Sequence, residues 1–413
     1  MTAIHVALLG YGTVGKGVYR TIEKHQERLK TILGKEVKIV AILVKELEKH
    51  QWVNNEVLFT DNYTDIINLP KLDVVIDAIV GVEPGFSYLR QAINRGCHVI
   101  TANKEMFAHH GTELLSLAKE KNVSLGFEAT VAGGIPIIQT LKKLLNANKV
   151  DKVEGILNGT SNFILTKMRE ENLSFEDALK LAQEYGYAEA DPANDIEGVD
   201  AFYKAVILSE VIFGEQPEWE QTITQGIGTL TLQQIKLFES LGLRFKHVAS
   251  LQKSNTEIQC TVRPVLVTNS HPLYQVEEVQ NAINIEADIV GNISLQGPGA
   301  GMFPTASAIV EDLIHIGDKQ LASSPEDSLF FEKETKENIW ALHGEIDNLL
   351  LSDDIRISKE IHPQVVLVET TVERIINLKT SHEICCFEVL GNIEEDKVLH
   401  GELIKEENIN HSY

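Results

Sequence analysis

The chain has 413 residues, 43% of them hydrophobic, which is enough to bury the cores of two or three domains. Its formal net charge of −23 and its lack of a clustered basic stretch argue against nucleic-acid binding, because contact with phosphate backbones needs concentrated positive charge. No apolar window approaches the roughly 20 residues of a membrane span, and the opening MTAIHVALLGYG lacks the basic region of a signal peptide, so we expect a cytoplasmic protein.

The N-terminal segment follows the order strand, glycine turn, helix. Ile4 to Leu9 is an apolar run of strand length, and a helical pattern continues from Val14 to Leu33. In a βαβ unit the first glycine of GYGTVG permits the tight turn, the second lets the backbone approach a pyrophosphate, and the third lets helix and strand pack closely. This segment predicts dinucleotide binding, and the alternative is a glycine turn of no function. The predicted contacts are Gly10, Tyr11, Gly12, Thr13, Val14 and Gly15.

The next strands extend this unit into a sheet. Val37 to Val44 ends at Lys45 rather than at the acidic residue that would bind a ribose 2′-hydroxyl. A cation there favours a 2′-phosphate, so we expect NADP, with NAD and a solvated Lys45 as the alternative. Further strands at Asp73 to Ala78 and His98 to Thr101, with a helix over Ser87 to Arg95, predict a doubly wound parallel sheet that binds ligands at the carboxyl ends of its strands.

Thr101 to Lys104 lie at such a strand end. We expect Lys104 to reach cofactor or substrate, and the alternative is a solvent-facing lysine. Leu125 to Thr130 is predicted as another strand, followed by the turn VAGGIP and a helix over Ile137 to Leu145. The turn offers several backbone carbonyls close to the carboxylate of Glu128. Such ligands suit a hard cation, and the alternative is an interdomain hinge without metal.

Residues 182–204, AQEYGYAEADPANDIEGVDAFYK, place acidic side chains, two glycines and a proline ahead of Lys204. A helical pattern from about Asp195 puts Asp200 and Lys204 on one helix face, while Glu189 precedes them in a loop. The pattern predicts a lysine surrounded by carboxylates, able to bind a zwitterionic small molecule and to move protons. The alternative is a surface salt bridge.

Apolar runs at Glu257 to Pro264 and Ala282 to Val290 are predicted strands, so the second domain mixes α and β structure. A glycine-dense loop and a helix over Thr305 to Ile316 follow. This loop permits close backbone approach to a ligand, and a plain interdomain crossover is the alternative. Its glycines are Gly297, Gly299 and Gly301.

Residues 317–327 are polar and are predicted to be a linker. The remaining chain is predicted to follow the order βαββαβ, which describes a small α+β domain able to pair with copies of itself through sheet edges. The predicted elements are strand Leu329 to Glu332, helix Glu337 to Leu351, strand Ile355 to Glu360, strand Val365 to Glu369, helix Thr371 to Leu378 and strand Glu383 to Leu390.

The four cysteines are too few and too unevenly spaced for a disulfide framework, and the adjacent pair does not resemble a CxxC site. We expect them to be reduced core residues. They are Cys97, Cys260, Cys385 and Cys386.

Over roughly residues 1 to 320 the chain resembles the homoserine dehydrogenase family, in its longer form with a C-terminal regulatory domain. The blocks GYGTVG, TANKE, EATVAGGIP and GPGAGMFPTASA occur in the family's order. The most specific match is the segment ending at Lys204. The matching positions are Ala182, Gly186, Tyr187, Asp191, Pro192, Asp195, Ile196, Gly198, Asp200 and Lys204.

The resemblance implies the reversible, NAD(P)-dependent interconversion of L-homoserine and L-aspartate 4-semialdehyde, a step toward threonine and methionine. Lys204 would be the proton donor and acceptor, with Lys104 assisting. The residues implied to bind or support the substrate are Glu189, Asp200, Asp195 and Gly186. Those implied at the cofactor, beyond the glycine turn, are Lys45, Thr101, Lys104 and Gly301.

The family also implies a monovalent cation, usually sodium. Its ligands would be Glu128 and the backbone carbonyls of Val131, Gly133 and Ile135. The alternative enzyme is another NAD(P)-dependent semialdehyde dehydrogenase, and an acylating one would need a cysteine nucleophile in a site loop. A different class of protein, a non-catalytic NAD(P)-sensing Rossmann protein, would need a DNA-binding or partner module that the sequence does not reveal.

The resemblance implies an α/β fold in three parts: a Rossmann-type domain over residues 1–130, a mixed α+β catalytic and dimerisation domain over 131–320, and an ACT-like domain over 328–413. Residues 297–320 would return to the nucleotide domain. ACT domains usually carry Pro-Gly at the first strand-to-helix turn, where Glu337 and Asn338 stand here, so an amino-acid effector such as threonine stays an open question. We expect a homodimer or homotetramer.

Overall fold

The computed structural model describes residues 3–49, 56–254, 257–316, 337–344, 356–381 and 384–393. Its first part is a parallel six-stranded sheet in the order β3-β2-β1-β4-β5-β6, with helices between the strands. The elements are β1 (Ile4–Leu9), α1 (Thr13–Lys24), α2 (Gln26–Leu33), β2 (Val37–Leu43), β3 (Leu58–Thr60), α3 (Tyr63–Ile67), β4 (Val74–Asp77), α4 (Gly85–Arg95), β5 (His98–Thr101), α5 (Lys104–Lys121) and β6 (Leu125–Gly126). The predicted parallel sheet is therefore confirmed.

Two predictions in this part were wrong in detail, and two elements were missed. The helix over Val14 to Leu33 breaks at His25, whose backbone is not helical (φ −112°, ψ 21°). Beyond the break, the Gln26 side-chain amide donates to the Val37 carbonyl (2.9 Å) and anchors α2 to the start of β2. The strand β3 and the helix α3 were missed. Lys104 begins α5 three residues after β5 ends at Thr101, so it lies at the predicted strand end. The strand predicted to reach Thr130 ends early, because the Glu128 N–H donates to Asp312 Oδ2 (2.8 Å) instead of to a neighbouring strand.

The second part places helices on one large mixed sheet. Its elements are α6 (Ile137–Gln139), β7 (Val150–Ile156), α7 (Gly159–Glu170), α8 (Phe175–Glu184), α9 (Ala193–Ile196), α10 (Val199–Phe213), β8 (Ile223–Thr224), α11 (Leu232–Ser240), β9 (Arg244–Ser254), β10 (Glu257–Val267), β11 (Gln280–Ala287), β12 (Gly291–Pro298) and α12 (Met302–Ile314). The helix predicted over 137–145 is a short α-helix that widens into a π-helical turn at Thr140–Leu144.

Two helices connect this part to the nucleotide-binding sheet. The helix α10 packs against α5 in a shared apolar core, so the helix that carries Lys204 lies against the helix that begins at Lys104. The helix α12 returns to pack against α1, where a Cβ at Gly17 would lie 2.5 Å from the Met302 carbonyl oxygen. These two helices thereby fix the second part to the first.

The C-terminal elements continue the second sheet. They are β13 (Asn338–Gly344), β14 (Arg356–His362), β15 (Val365–Thr370), α13 (Val372–Ser381) and β16 (Ile384–Leu390). Strand β16 pairs in parallel with β10, and the antiparallel order β16-β13-β15-β14 follows. The buried Arg263 on β10 reaches Glu388 on β16 at 2.6 Å and lies over the ring of Trp340 on β13.

The predicted helix from Glu337 was wrong within the described residues, since Asn338–Gly344 is a strand. Consecutive residues Trp340, Ala341 and Leu342 are all buried, so the strand shows no alternation by which the sequence could reveal it. The expected effector turn at Glu337 and Asn338 was wrong for the same reason. The predicted linker and the strand over 329–332 lie outside the described residues.

All four cysteines are free, and three are buried, whereas Cys385 is half-buried. The prediction of reduced core residues is confirmed for Cys97, Cys260 and Cys386. Among the described helices, none combines the length and the apolar character needed to cross a membrane.

Candidate active site

The centre of the site is the carboxylate of Asp200, which lies between two lysines. Lys204, one helical turn further along α10, contacts Asp200 Oδ2 at 2.6 Å, and Lys104 contacts Asp200 Oδ1 at 2.8 Å. The Asp200 side chain is 6% exposed and that of Lys204 10%, whereas that of Lys104 is 44% exposed. The surface salt bridge that was the alternative is therefore wrong, because the pair is buried and shared with a second lysine.

Lys204 is held from two sides. Besides Asp200, its ammonium donates to the backbone carbonyl of Leu157, the residue after β7, at 2.6 Å. Gly198 precedes α10 with a positive φ of 89°, a conformation that favours glycine, and lets the chain turn sharply between α9 and α10. The turn thus places Asp200 in the first turn of the helix and Lys204 directly behind it.

Asn158 is a site residue that the sequence analysis missed. Its Nδ2 donates to Asp195 Oδ1 at 2.7 Å and to Asp200 Oδ2 at 2.9 Å, while its Oδ1 accepts from the Ser161 N–H and caps α7. Asn158 therefore joins both carboxylates to the end of β7. The signal was present: an Asn that follows a strand and precedes a helix is a strong N-cap pattern.

The charges in this cluster shift one another's ionisation. Burial alone would raise the pKa of Asp200, but Lys204 and Lys104 outweigh it and hold that pKa well below its usual range. Burial lowers the pKa of Lys204 despite the opposing pull of Asp200. Asp200 raises the pKa of Lys104, and burial raises that of Asp195. The two lysines are thus unequal: Lys204 gives up its proton more readily, and Lys104 stays charged.

Glu189 and Gly186 lie on the exposed loop between α8 and α9. Asp200 is the largest cause of the raised pKa of Lys104, and Asp195 and Glu189 add to it. Gly186 has a positive φ of 75° where the chain leaves α8. Both carboxylates therefore act electrostatically on Lys104, and Asp195 is joined to Asp200 through Asn158.

The glycine turn has the shape that a dinucleotide needs. Gly10 has φ 100°, and a Cβ there would lie 2.8 Å from the Ala78 carbonyl oxygen. A Cβ at Gly15 would lie 2.1 Å from the Gly10 carbonyl oxygen. A Cβ at Gly12 would meet no protein atom within 4 Å, and the first turn of α1, with Thr13 and Val14, contains no acidic residue. The residues present fit a bound pyrophosphate at the helix N-terminus.

The other predicted cofactor residues differ in their surroundings. Lys45 is exposed just beyond β2, and Gly301, with φ 117°, precedes α12. Tyr11 packs edge-on against Tyr19, with ring centroids 6.0 Å apart. Thr101 does not face the turn, because its hydroxyl donates to the buried Asp77 Oδ2 at 2.8 Å, and burial raises the pKa of Asp77 to about 6.

Glu128 is buried, but its carboxylate is already engaged by protein. Its two oxygens accept the backbone N–H groups of Ile138 (2.8 Å) and Gln139 (2.7 Å) at the start of α6, and burial raises its pKa to about 7. Within the described part of the chain, the carbonyl oxygens of Val131 and Gly133 accept no hydrogen bond, whereas that of Ile135 accepts from Ile137. Backbone oxygens therefore fit a cation here better than the carboxylate does.

An acylating enzyme would need a reactive thiolate. Burial instead raises the pKa of Cys97 and raises that of Cys260 to about 12, so neither is a nucleophile at neutral pH. Within the described residues there is also no group of three or more His, Cys, Asp or Glu side chains that could hold a metal ion.

Two family models match the chain. One is described as the NAD-binding domain of homoserine dehydrogenase and covers residues 10–128, and the other, described as homoserine dehydrogenase, covers residues 136–314. Together they span the glycine turn and the lysine cluster.

Several proteins resemble the chain along most of its length. The homoserine dehydrogenase of Bacillus subtilis is 44% identical over 318 residues, which are 76% of this chain and 73% of the relative. The crystal structure of a homoserine dehydrogenase from Thiobacillus denitrificans matches with a TM-score of 0.83 and 34% identity, over 94% of this chain and 99% of that one. A hyperthermophilic archaeal homoserine dehydrogenase in complex with NADPH matches with a TM-score of 0.66 and 28% identity, over 76% of this chain and 97% of that one.

Proposed function

Since this chain belongs to the homoserine dehydrogenase family of NAD(P)-dependent oxidoreductases, we propose that it interconverts L-homoserine and L-aspartate 4-semialdehyde with Lys204 as the general acid and base. The observation that carries this role is the buried Asp200 carboxylate between Lys204 and Lys104, at 2.6 and 2.8 Å. Such a cluster offers one lysine that can lose a proton beside one that stays charged.

In the oxidation direction Lys204, when neutral, takes the proton of the substrate hydroxyl. In the reverse direction its ammonium stabilises the developing alkoxide and then protonates it. The nicotinamide cofactor, when bound, accepts or supplies the hydride. The lowered pKa of Lys204 favours the neutral base, while the Leu157 carbonyl and Asp200 keep its nitrogen in one place.

The remaining polar groups bind and orient the zwitterion. We propose that Asp200 and Glu189 hold the substrate amino group, that Asp195 supports them through Asn158, and that Lys104 supplies positive charge next to the reacting oxygen. Asn158 contacts both Asp195 and Asp200, so the carboxylates are fixed before the substrate arrives. Gly186 leaves the loop beside them without a side chain.

We further propose that a monovalent cation, better served by backbone oxygens than by the Glu128 carboxylate, binds at the turn of Val131, Gly133 and Ile135. The support is the lack of hydrogen bonds to the first two carbonyl oxygens from the described residues. Assaying the enzyme in sodium chloride and in choline chloride checks this site, and equal rates and equal thermal stability in both salts would contradict it.

Lys45 is proposed to favour NADP by its charge beyond the end of β2. Replacing it by alanine should weaken binding of NADP by about tenfold or less, as expected for one exposed charge, and should leave NAD nearly unaffected. The measurement is KM for each cofactor in the variant and in the wild type. A matched control is Lys38→Ala on β2 itself, where the Lys38 side chain contacts Glu36 at 3.6 Å. An equal change for both cofactors would refute the selectivity of Lys45.

The direct test is the formation of NADPH or NADH from L-homoserine at alkaline pH, with NADP and NAD supplied in parallel. We expect turnover with L-homoserine and none with L-serine, which lacks one methylene group. Cofactor binding without reduction by homoserine would overturn the proposed substrate. Light scattering and a titration with threonine, in the same preparation, test the predicted homodimer or homotetramer and the predicted amino-acid effector.

A further inference from the structure

The carbonyl oxygen of Leu157 accepts two hydrogen bonds in the interior of the protein. One comes from Lys204 Nζ at 2.6 Å and the other from Asn281 Nδ2 at 2.9 Å. A carbonyl oxygen has two lone pairs, so these two donors saturate it. Asn281 lies on β11, which pairs with β7 directly before Leu157. The lysine and the asparagine therefore share one acceptor from different parts of the fold.

The Asn281 amide is enclosed on its other side by the glycine loop that precedes α12. Asn281 is fully buried, and a Cβ at Gly299 would lie 2.1 Å from its Oδ1. This Oδ1 is buried and has no hydrogen-bond partner within the part of the chain that the structure describes. A buried polar atom without a hydrogen bond destabilises the folded protein, and an apolar side chain of the same shape would avoid that free-energy cost. A purely structural role therefore does not explain an amide at this position.

We propose that Asn281 is a positioning residue for the reaction, whose amide fixes the Leu157 carbonyl and shares it with Lys204. The inference rests on the proposed role of Lys204 as acid and base. A carbonyl that already accepts one hydrogen bond is a weaker acceptor for an ammonium group, so the Asn281 amide favours the neutral, proton-accepting form of Lys204. It also holds the oxygen at a fixed distance from that nitrogen.

The other groups facing Lys204 act on its pKa in opposite directions. Asp200 on the same helix and Asp195 on α9 favour the ammonium form, whereas burial and Lys104 on α5 disfavour it. On β9, His247 faces Gly198 at the start of α10, and burial lowers the pKa of this imidazole to about 4, so it adds no charge at neutral pH. A change in one hydrogen bond can therefore move the balance.

The test is the pH dependence of kcat for L-homoserine oxidation in the Asn281→Leu variant. Removing the amide makes the Leu157 carbonyl a better acceptor for the Lys204 ammonium. The acidic limb of the pH–rate profile should therefore move to higher pH by roughly 0.5 to 1 unit, so that kcat on this limb falls by about three- to tenfold at a given pH. KM for homoserine should change less than kcat. Asn284→Leu is the matched control, since Asn284 is buried on the same strand but accepts a hydrogen bond from Ser294 at 2.8 Å.

A second variant reaches the same contact without removing a polar group. The new methyl of Gly299→Ala would press on the Asn281 amide and displace it from Leu157, so the limb should shift in the same direction. If Asn281→Leu is unstable, the Gly299→Ala variant provides the test in its place. An acidic limb that stays at the wild-type position in the folded variants, or an equal shift in Asn284→Leu, overturns the proposal.

The Lys204→Ala background separates this inference from the function on which it rests. If Asn281 acts through Lys204, the double variant should be no slower than Lys204→Ala alone, and an additional independent loss would contradict the inference. If Lys204→Ala keeps the wild-type rate and pH profile, the proposed role of Lys204 fails as well. If Lys204→Ala loses activity while Asn281→Leu keeps the wild-type limb, only the inference about Asn281 fails.

Discussion

Replacing Lys204 by alanine should lower kcat for L-homoserine oxidation by about 10²- to 10⁴-fold, because proton transfer by a positioned side chain contributes that much. The lysine is buried, its pKa is lowered by that burial, and its nitrogen is held by Asp200 and the Leu157 carbonyl. Cofactor binding should be retained, since the glycine turn at Gly10 to Gly15 belongs to a different part of the fold. Steady-state kinetics and cofactor fluorescence measure the two quantities separately.

Lys167→Ala provides the matched control for this variant. Lys167, on α7, forms an ion pair at 2.9 Å with Glu171, the residue directly after that helix, and so repeats the four-residue spacing of Asp200 and Lys204. We expect nearly unchanged turnover in this control. A Lys204→Ala enzyme that turns over as fast as the control would reduce the buried pair to a structural contact.

The sequence was sufficient to predict those parts of the site that are local along the chain. The spacing of Asp200 and Lys204 predicts their contact, because residues four apart meet on one helix face whatever the rest of the fold does. The glycine turn likewise follows from its own residues. The distance between Lys104 and Asp200 does not, because it depends on how α5 packs against α10, which local patterns do not record.

The remaining differences have physical causes of the same kind. Asn158 was missed because residues 157–162 contain no charged group, although its side chain bridges Asp195 and Asp200. The strand Asn338–Gly344 was predicted as a helix because both its faces are buried, one of them against Arg263 of a distant strand. Glu128 was predicted to be a cation ligand because it is a carboxylate next to a glycine-rich turn. Its carboxylate instead accepts hydrogen bonds from backbone N–H groups of α6, whose packing the sequence does not specify.

The Asp200→Asn variant should lose both catalysis and stability. The substitution keeps the shape of the side chain but removes the negative charge that both Lys204 and Lys104 contact, so two cations then face each other in a buried site. Breaking a buried ion pair by removing one partner costs about 3–5 kcal/mol, and we expect a clear fall in Tm. Loss of the oriented carboxylate should also lower kcat/KM by about 10²-fold or more. Asp151→Asn, whose partner Lys149 lies at 3.7 Å on the surface, should change neither quantity.

The stability deficit of Asp200→Asn should depend on pH in a defined direction. Without Asp200, the pKa of Lys204 in the folded protein falls further below its value in the unfolded chain, because Asp200 is the largest influence that raises it. The unfolded state then binds more protons than the folded state, so stability rises with pH from the folded pKa of Lys204 up to about 10.4, its unfolded value. Thermal unfolding of variant and wild type across this alkaline range measures the effect. A deficit that stays constant or grows toward high pH would show that charge on Lys204 is not its cause.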